Sequence, residues 1–399
     1  MVSNATVGQL AAVWLVPAYP WAGDSIGGTF HQTQARAVVR GGVVVSVVAT
    51  CVWSPWPVRM LKERWRRYSL VPHHSRDGEI DVARPRVLGI PSRPEWLWPD
   101  RQIEAVVRLS KRGERFSLVH GHFAMPHGVA AVRLGSKWHL PVVVTVHGFD
   151  VNLWPTTRRG GLRELRTAVR GADAVTAVSS ALADRAFELT GRRPLVLPTG
   201  IDLEAMKAHA LPPVEARKRL GWPQSAPIVT FVGHLVEGKG VRELVAASDQ
   251  LSSDVIIMLV GDGPLRRELS EAALVRAGRI RLTGAVNHEE IPVYMAASDL
   301  VVLPSHSEGL GQVLVEAGAM GVPVVGSAVG GIPELLANEG GWLCEPRRPE
   351  SLASAIAEAL ANPQEAARRA MNLHRTVLDG YDARVQAGRL IDIYRQLCR

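Results

Sequence analysis

Cysteine is scarce in these 399 residues: Cys51, Cys344 and Cys398 are odd in number and widely scattered. They offer neither a disulfide framework nor a metal-ligand spacing, and the expectation is a reducing, cytoplasmic setting. No uncharged apolar run approaches the roughly 18 residues of a membrane-spanning helix. The opening MVSNATVGQL lacks a basic region followed by a long apolar segment, so no signal peptide is expected. Tandem repeats at solenoid spacing and low-complexity tracts are missing too. There is no Walker A sequence, and GDSIGGTF around Gly27-Gly28 is not GxGxxG. With no acidic residue well placed at the end of Val43–Ala49, a nicotinamide cofactor is a poor fit.

What is present describes a folded protein of two domains, with 47% apolar and 21% charged residues in a chain longer than one core usually organises. Lysine plus arginine exceed aspartate plus glutamate by 46 − 38 = 8. The densest basic stretch is Arg59–Arg67, flanked by Trp53 and Trp56. Trp53–Arg67 reads either as an exposed basic loop or helix with its tryptophans packed inward, or as a contact with an anionic membrane surface. Nucleic acid is not expected, since zinc-finger, helix-turn-helix and single-strand-binding signatures are lacking.

Apolar runs alternate with helical patterns along both halves. Leu10–Val16, Val43–Ala49, Leu118–His120, Val142–Val146, Ala174–Val178 and Leu195–Leu197 read as strands of a first domain. Ile228–Val232, Val255–Val260, Arg279–Leu282, Leu300–Leu303 and Val324–Val325 read as strands of a second. Runs such as VVVTV and VIIMLV lack alternation, as strands covered on both faces do. The spacing predicts an α/β protein of two Rossmann-like parallel-sheet domains facing across a cleft, residues 1–200 and 201–380. A terminal helix over 381–399 is expected to cross back onto the first domain.

Ligand loops are expected at the C-terminal ends of such strands. Gly27-Gly28-Thr29 can bring backbone N–H groups beside phosphates. His147, followed by Gly148, places an imidazole after a buried strand; a sugar hydroxyl partner and a structural cap both stay open. For Asp150 a structural role is slightly favoured over an acceptor contact. His120 and His122 flank a strand end, where acceptor binding and a supporting role stand level. These histidines make no metal case, because no carboxylate or cysteine joins them.

In the second half, His234 and Lys239 follow a strand in GHLVEGKG, and a lysine at a helix entrance can meet a diphosphate. Asp262 is expected mainly to shape its turn. The stretch SEGLGQVLVEAG sets Glu308 in a glycine-rich turn and Glu316 inside an apolar helix, about two turns deeper. Gly309 and Gly311 let the backbone approach a ligand carrying phosphate and hydroxyl groups. A nucleotide sugar is the simplest such molecule.

With these residues assembled, the chain resembles the retaining glycosyltransferases of the GT4 family, which have the GT-B fold. Glu308 and Glu316 match the family's EX7E pair, within SEGLGQVLVEAGAMGVPVVGSAVGGIPELL. Gly27-Gly28, His147-Gly148, Pro198–Asp202 and Lys239-Gly240 match further family elements. The resemblance implies that Glu316 binds the donor ribose and Glu308 a hydroxyl of the transferred sugar. It implies that the backbone of Gly309, Leu310, Gly311 and Gln312 helps hold sugar and diphosphate, that Lys239 neutralises the diphosphate, and that His147 lines the sugar pocket. His234 stands where the family often has arginine, so a pH-dependent charge replaces a permanent one. The implied activity is hexosyl transfer from a nucleoside diphosphate sugar to a glycan or lipid-linked acceptor, in polysaccharide or glycolipid biosynthesis. It needs no metal or other cofactor. The alternatives are a sugar-nucleotide epimerase, a pyridoxal-phosphate-dependent glycan phosphorylase and a noncatalytic sugar- or lipid-binding module. The location expected is cytoplasmic, with peripheral attachment to the inner face of the membrane as an option.

Overall fold

A computed structural model describes residues 9–24, 26–53, 55, 56, 60, 66, 68–88, 104, 116–272 and 278–399. The chain forms two compact units, residues 1–200 with 383–399, and residues 201–382.

The first unit is built on strands β1 (Ala11–Val16), β2 (Val44–Ala49), β3 (Cys51–Trp53), β4 (His74–Asp77), β5 (Ile80–Ala83), β6 (Arg86–Leu88), β7 (Leu118–His122), β8 (Val142–Val146), β9 (Ala174–Ala177) and β10 (Leu195–Val196). Eight of them make one sheet in the order β10-β9-β8-β7-β1-β2-β5-β4, and β3 pairs with β6. Within the large sheet, β4 alone runs antiparallel, against β5. Every residue of β1, β7 and β8 is buried, which is why β1 and β8 read as nearly unbroken apolar runs rather than alternating ones, while β7 buries His120 and His122 within its LVHGH sequence. The hairpin β4–β5 alternates exposure and pairs Asp77 with Ile80 around Gly78. Its Asp77-Gly78 dipeptide is a turn signal inside a stretch whose polar composition reads as irregular from sequence.

The last helix, Ala383–Leu397, belongs to this unit and packs on helix Thr29–Arg40. Its Ala387, Leu390, Ile391 and Tyr394 join the core beneath β1 and β2. They recur at helical spacing, so one face of the helix is apolar.

The second unit carries β11 (Ile228–Val232), β12 (Ile256–Val260), β13 (Ile280–Gly284), β14 (Leu300–Leu303), β15 (Val324–Ser327) and β16 (Trp342–Cys344). They form one all-parallel sheet ordered β13-β12-β11-β14-β15-β16. Strand β16 falls outside the expected set, being only three residues long with exposed Leu343 at its centre. The chain enters and leaves this unit at adjoining points, where Ile201 N–H donates to Tyr381 O at 2.8 Å. Both sheets reverse direction of winding once, between β1 and β7 and between β11 and β14. Parallel α/β sheets bind ligands at such switch points, beyond the carboxyl ends of the strands. Among the described residues no helix is long and apolar enough to cross a membrane.

Candidate active site

In the second unit the loops after β11 and β14 meet at the switch point. A 3-10 turn, Glu237–Lys239, carries Lys239 into the next helix. Lys239 Nζ lies 2.5 Å from Glu308 Oε1, and Ser305 Oγ donates to the same oxygen at 2.7 Å. His306 ties the two loops together. Its backbone N–H donates to Gly238 O at 2.9 Å, and its Nε2 lies 2.8 Å from Glu243 Oε1.

Gly240 has φ +69°, and a Cβ there would lie 1.9 Å from Pro304 O. Only glycine lets the lysine turn approach the β14 loop so closely. A Cβ on Gly330 would likewise lie 2.0 Å from Glu308 O, so the segment after β15 buttresses the glutamate.

Glu316 is the fifth residue of helix Gln312–Ala319, which starts after left-handed Gly311. It is buried, and His288 Nε2 lies 3.2 Å from its Oε1. This hydrogen bond raises the His288 pKa, outweighing the lowering by burial. The helix has neither a side-chain N-cap nor an acidic residue in its first turn, which leaves its N-terminus favourable to an anion. His234 follows β11 and is exposed. Asp262 binds its own turn through Gly263 N–H and pairs with Arg266 at 3.3 Å.

In the first unit Gly28 takes a left-handed φ of +84° and caps helix Thr29–Arg40. Gly27 N–H donates to Asp24 Oδ1 at 3.0 Å, so this N–H braces the turn. Asp150 is buried and accepts from three backbone N–H groups, those of Ala124 (2.7 Å), His147 (3.1 Å) and Gly148 (3.0 Å). Burial raises its pKa against the opposing pull of those donors. Its carboxylate therefore shapes the His147 loop.

His120 is engaged within the protein in the same way. It is fully buried between Tyr394 Oη at 2.6 Å and Thr145 Oγ1 at 2.7 Å, so neither ring nitrogen is left for an acceptor. His122 Nδ1 lies 3.2 Å from His147 Nε2. Sequence reasoning did not single out His31, which completes this cluster from the buried face of helix Thr29–Arg40. Among the described residues, His31, His122 and His147 are the one group of three metal-competent side chains, with ligand atoms all within 4.8 Å. His288 and Ser305 were also not singled out, because a histidine or serine in a loop has no local signal that a distant glutamate is its partner.

Residues 27–205 match the family described as Glycosyltransferase Family 4, and residues 214–374 match glycosyl transferases group 1. TuaC of Bacillus subtilis, provisionally named a teichuronic acid biosynthesis glycosyltransferase, is 34% identical over 393 residues, 97% of this chain and 98% of TuaC. A glycogen synthase of Mycobacterium tuberculosis is 30% identical over 314 residues, 73% of this chain and 72% of that one. Among solved structures, sucrose-phosphate synthase from Thermosynechococcus elongatus superposes with a TM-score of 0.78 at 23% identity, covering 97% and 99% of the two chains. Anabaena HepE in complex with UDP-glucose gives 0.73 at 22% identity, covering 98% and 100%. The chain belongs to the glycosyltransferases of this family, and its two Rossmann-like units with the returning C-terminal helix have the GT-B architecture.

Proposed function

We propose that the protein transfers a hexosyl unit from a nucleoside diphosphate sugar to an acceptor hydroxyl, with retention of anomeric configuration, in polysaccharide or glycolipid assembly. The observation that carries this reading is the meeting of Lys239 and Glu308 beside an uncapped helix start. A diphosphate leaving group gains negative charge as the glycosidic bond breaks. An ammonium and oriented backbone N–H groups stabilise that charge without reorganising, which lowers the barrier electrostatically.

Donor entry exchanges partners: Lys239 turns to the diphosphate, and Glu308, still held by Ser305, accepts from a sugar hydroxyl. Glu316 receives the ribose hydroxyls, with His288 fixing its rotamer. The family pattern gives His147 the role of meeting the transferred sugar, and His234 that of a second, conditional cation. Glu308 binds rather than attacks, so retention follows from same-face attack by the acceptor oxygen. No step calls for a metal.

The name of TuaC supports a polysaccharide product, and UDP-glucose in HepE supports a nucleotide-sugar donor. Attachment to an anionic inner membrane face through the Trp53–Arg67 stretch goes with a lipid-linked acceptor. Most of that stretch lies outside the described residues, and Trp56 within it is exposed.

Thermal stabilisation by UDP-, GDP- and ADP-sugars, followed by mass spectrometry of products from lipid-linked acceptors, tests the reading. One nucleotide class should raise Tm, and one acceptor should gain a sugar mass. No stabilisation and no nucleoside diphosphate release across the panel would refute it.

A further inference from the structure

Three neighbours hold His147 at the end of β8, and each fixes a different property of it. Asp150 Oδ1 accepts from its backbone N–H at 3.1 Å and from Gly148 N–H at 3.0 Å, which sets the main chain. Phe123 stacks on the imidazole at a centroid separation of 4.5 Å and an interplanar angle of 29°, which sets the plane of the ring. His122 Nδ1 lies 3.2 Å from His147 Nε2. One proton sits in such an N···N contact, and the ring that owns it decides what the other end of His147 presents.

Burial lowers the pKa of both imidazoles, so each is neutral and carries one N–H and one lone pair. Two arrangements are then available. If His147 Nε2–H donates, His122 accepts on Nδ1 and must carry its own proton on Nε2. That nitrogen is buried and has no hydrogen-bond partner among the described residues. The interior would then hold a stranded N–H, at the full desolvation cost of the group. Buried backbone shows how such cases are avoided, since its N–H groups are orphaned more rarely than its acceptors are under-satisfied. If His122 Nδ1–H donates instead, the enclosed Nε2 keeps only a lone pair, and His147 carries its proton on Nδ1. His147 is half-buried, and among the described residues nothing bonds its Nδ1.

We propose that His122 is a positioning residue whose Nδ1–H donates to His147 Nε2, locking His147 in the Nδ1–H tautomer with that N–H left to donate to the transferred sugar. The inference rests on the proposed reading of His147 as the residue that meets the sugar. Free histidine in water favours the proton on Nε2, so the locked form is the opposite of the default. It also selects among sugars. The atom that meets His147 must accept a hydrogen bond: a hydroxyl or carbonyl oxygen serves, while a deoxy position or an ammonium group does not.

The test reads the ring nitrogens directly. Two-bond proton–nitrogen correlation spectra of the full-length protein, carrying isotope-labelled histidine and no substrate, separate the protonated from the bare nitrogen of each imidazole. His147→Gln identifies the His147 signals by their loss. The wild type should carry the His147 proton on Nδ1. His122→Leu should return His147 toward the Nε2–H form and lower kcat/KM for the donor by about tenfold, the worth of one hydrogen bond. His122→Asn, whose amide N–H can stand where Nδ1–H stood, should restore the Nδ1–H form and most of that activity. A merely space-filling role would instead favour leucine over the smaller asparagine.

A wild-type His147 protonated on Nε2, or a tautomer unmoved in His122→Leu, would overturn the proposal, and the wild-type spectrum decides even if a variant fails to fold. The tautomer is read on the resting protein, which keeps it apart from the transferase reading. No turnover with any nucleoside diphosphate sugar, beside an Nδ1-protonated His147, would refute the proposed function and leave the locked tautomer supported.

Discussion

Lys239 and Glu308 are 69 residues apart in sequence and form an ion pair of 2.5 Å, closed by Ser305 on the same carboxylate oxygen. The pair stores a cation beside the helix start and shields the carboxylate from an unpaired, half-buried state. Lys239→Ala should lower turnover by roughly 10²–10³-fold, the range for removing one preorganised electrostatic group. Nucleoside diphosphate release measures this, with circular dichroism confirming the fold. Turnover within a few-fold of wild type would remove Lys239 from the chemistry.

His288 and Glu316 make the second contact, which couples a loop to helix Gln312–Ala319. The bond to Glu316 raises the His288 pKa. Below the unfolded value of about 6.5, histidine is charged in both states and the pair's stabilisation is fully present. As pH rises through the higher folded pKa the proton leaves, and that contribution is lost. Unfolding midpoints should therefore fall more steeply for wild type than for His288→Gln as pH rises from about 6 upward. Histidine NMR titration should place His288 above the ordinary value, and Glu316→Gln should bring it back down. A His288 titration unchanged by Glu316→Gln would sink the coupling. The same substitution should weaken nucleotide-sugar binding by about tenfold, through loss of a charge-assisted hydrogen bond.

The parallel cores were legible because strands covered on both faces leave continuous apolar runs, as in β8 and β11. Glu308, Glu316 and Lys239 were legible because glycines, carboxylates and a helix start cluster within short segments. The hairpin β4–β5 was not, since its edge position allows polar residues and its order comes from distant partners. Asp77, for one, is held by Tyr19, Gln32 and Arg36. His31 was hidden for the opposite reason: it sits among core positions of a helix whose pattern shows only that one face is buried. Asp150 and His120 stood on the right strand ends, but only tertiary partners show that their polar atoms are already engaged.

Asp150 organises two segments by accepting from Ala124, His147 and Gly148. Asp150→Ala would strand three buried backbone donors, each worth about 1–3 kcal/mol when left unsatisfied. Urea unfolding should show a loss of at least about 3 kcal/mol. Asp150→Asn keeps one acceptor oxygen and should fall between the two. Equal stability of Asp150→Ala and wild type would mean that these loop contacts are not made in solution.

Gly240 separates backbone strain from charge at the same site. Its φ of +69° and the 1.9 Å approach of a built Cβ to Pro304 O leave no room for a side chain. Gly240→Ala must push the lysine turn away from the β14 loop, because carbonyl and turn are both backbone and neither is a flexible side-chain end. The left-handed conformation alone adds about 1 kcal/mol for alanine. The overlap should bring the total to about 2–4 kcal/mol, read as a drop in the urea midpoint. Lys239 is chemically intact in this variant, so any loss of activity beyond the loss of folded protein reports its displacement from Glu308. If folded Gly240→Ala turned over at the wild-type rate, the lysine's chemistry would not depend on its placement against Glu308.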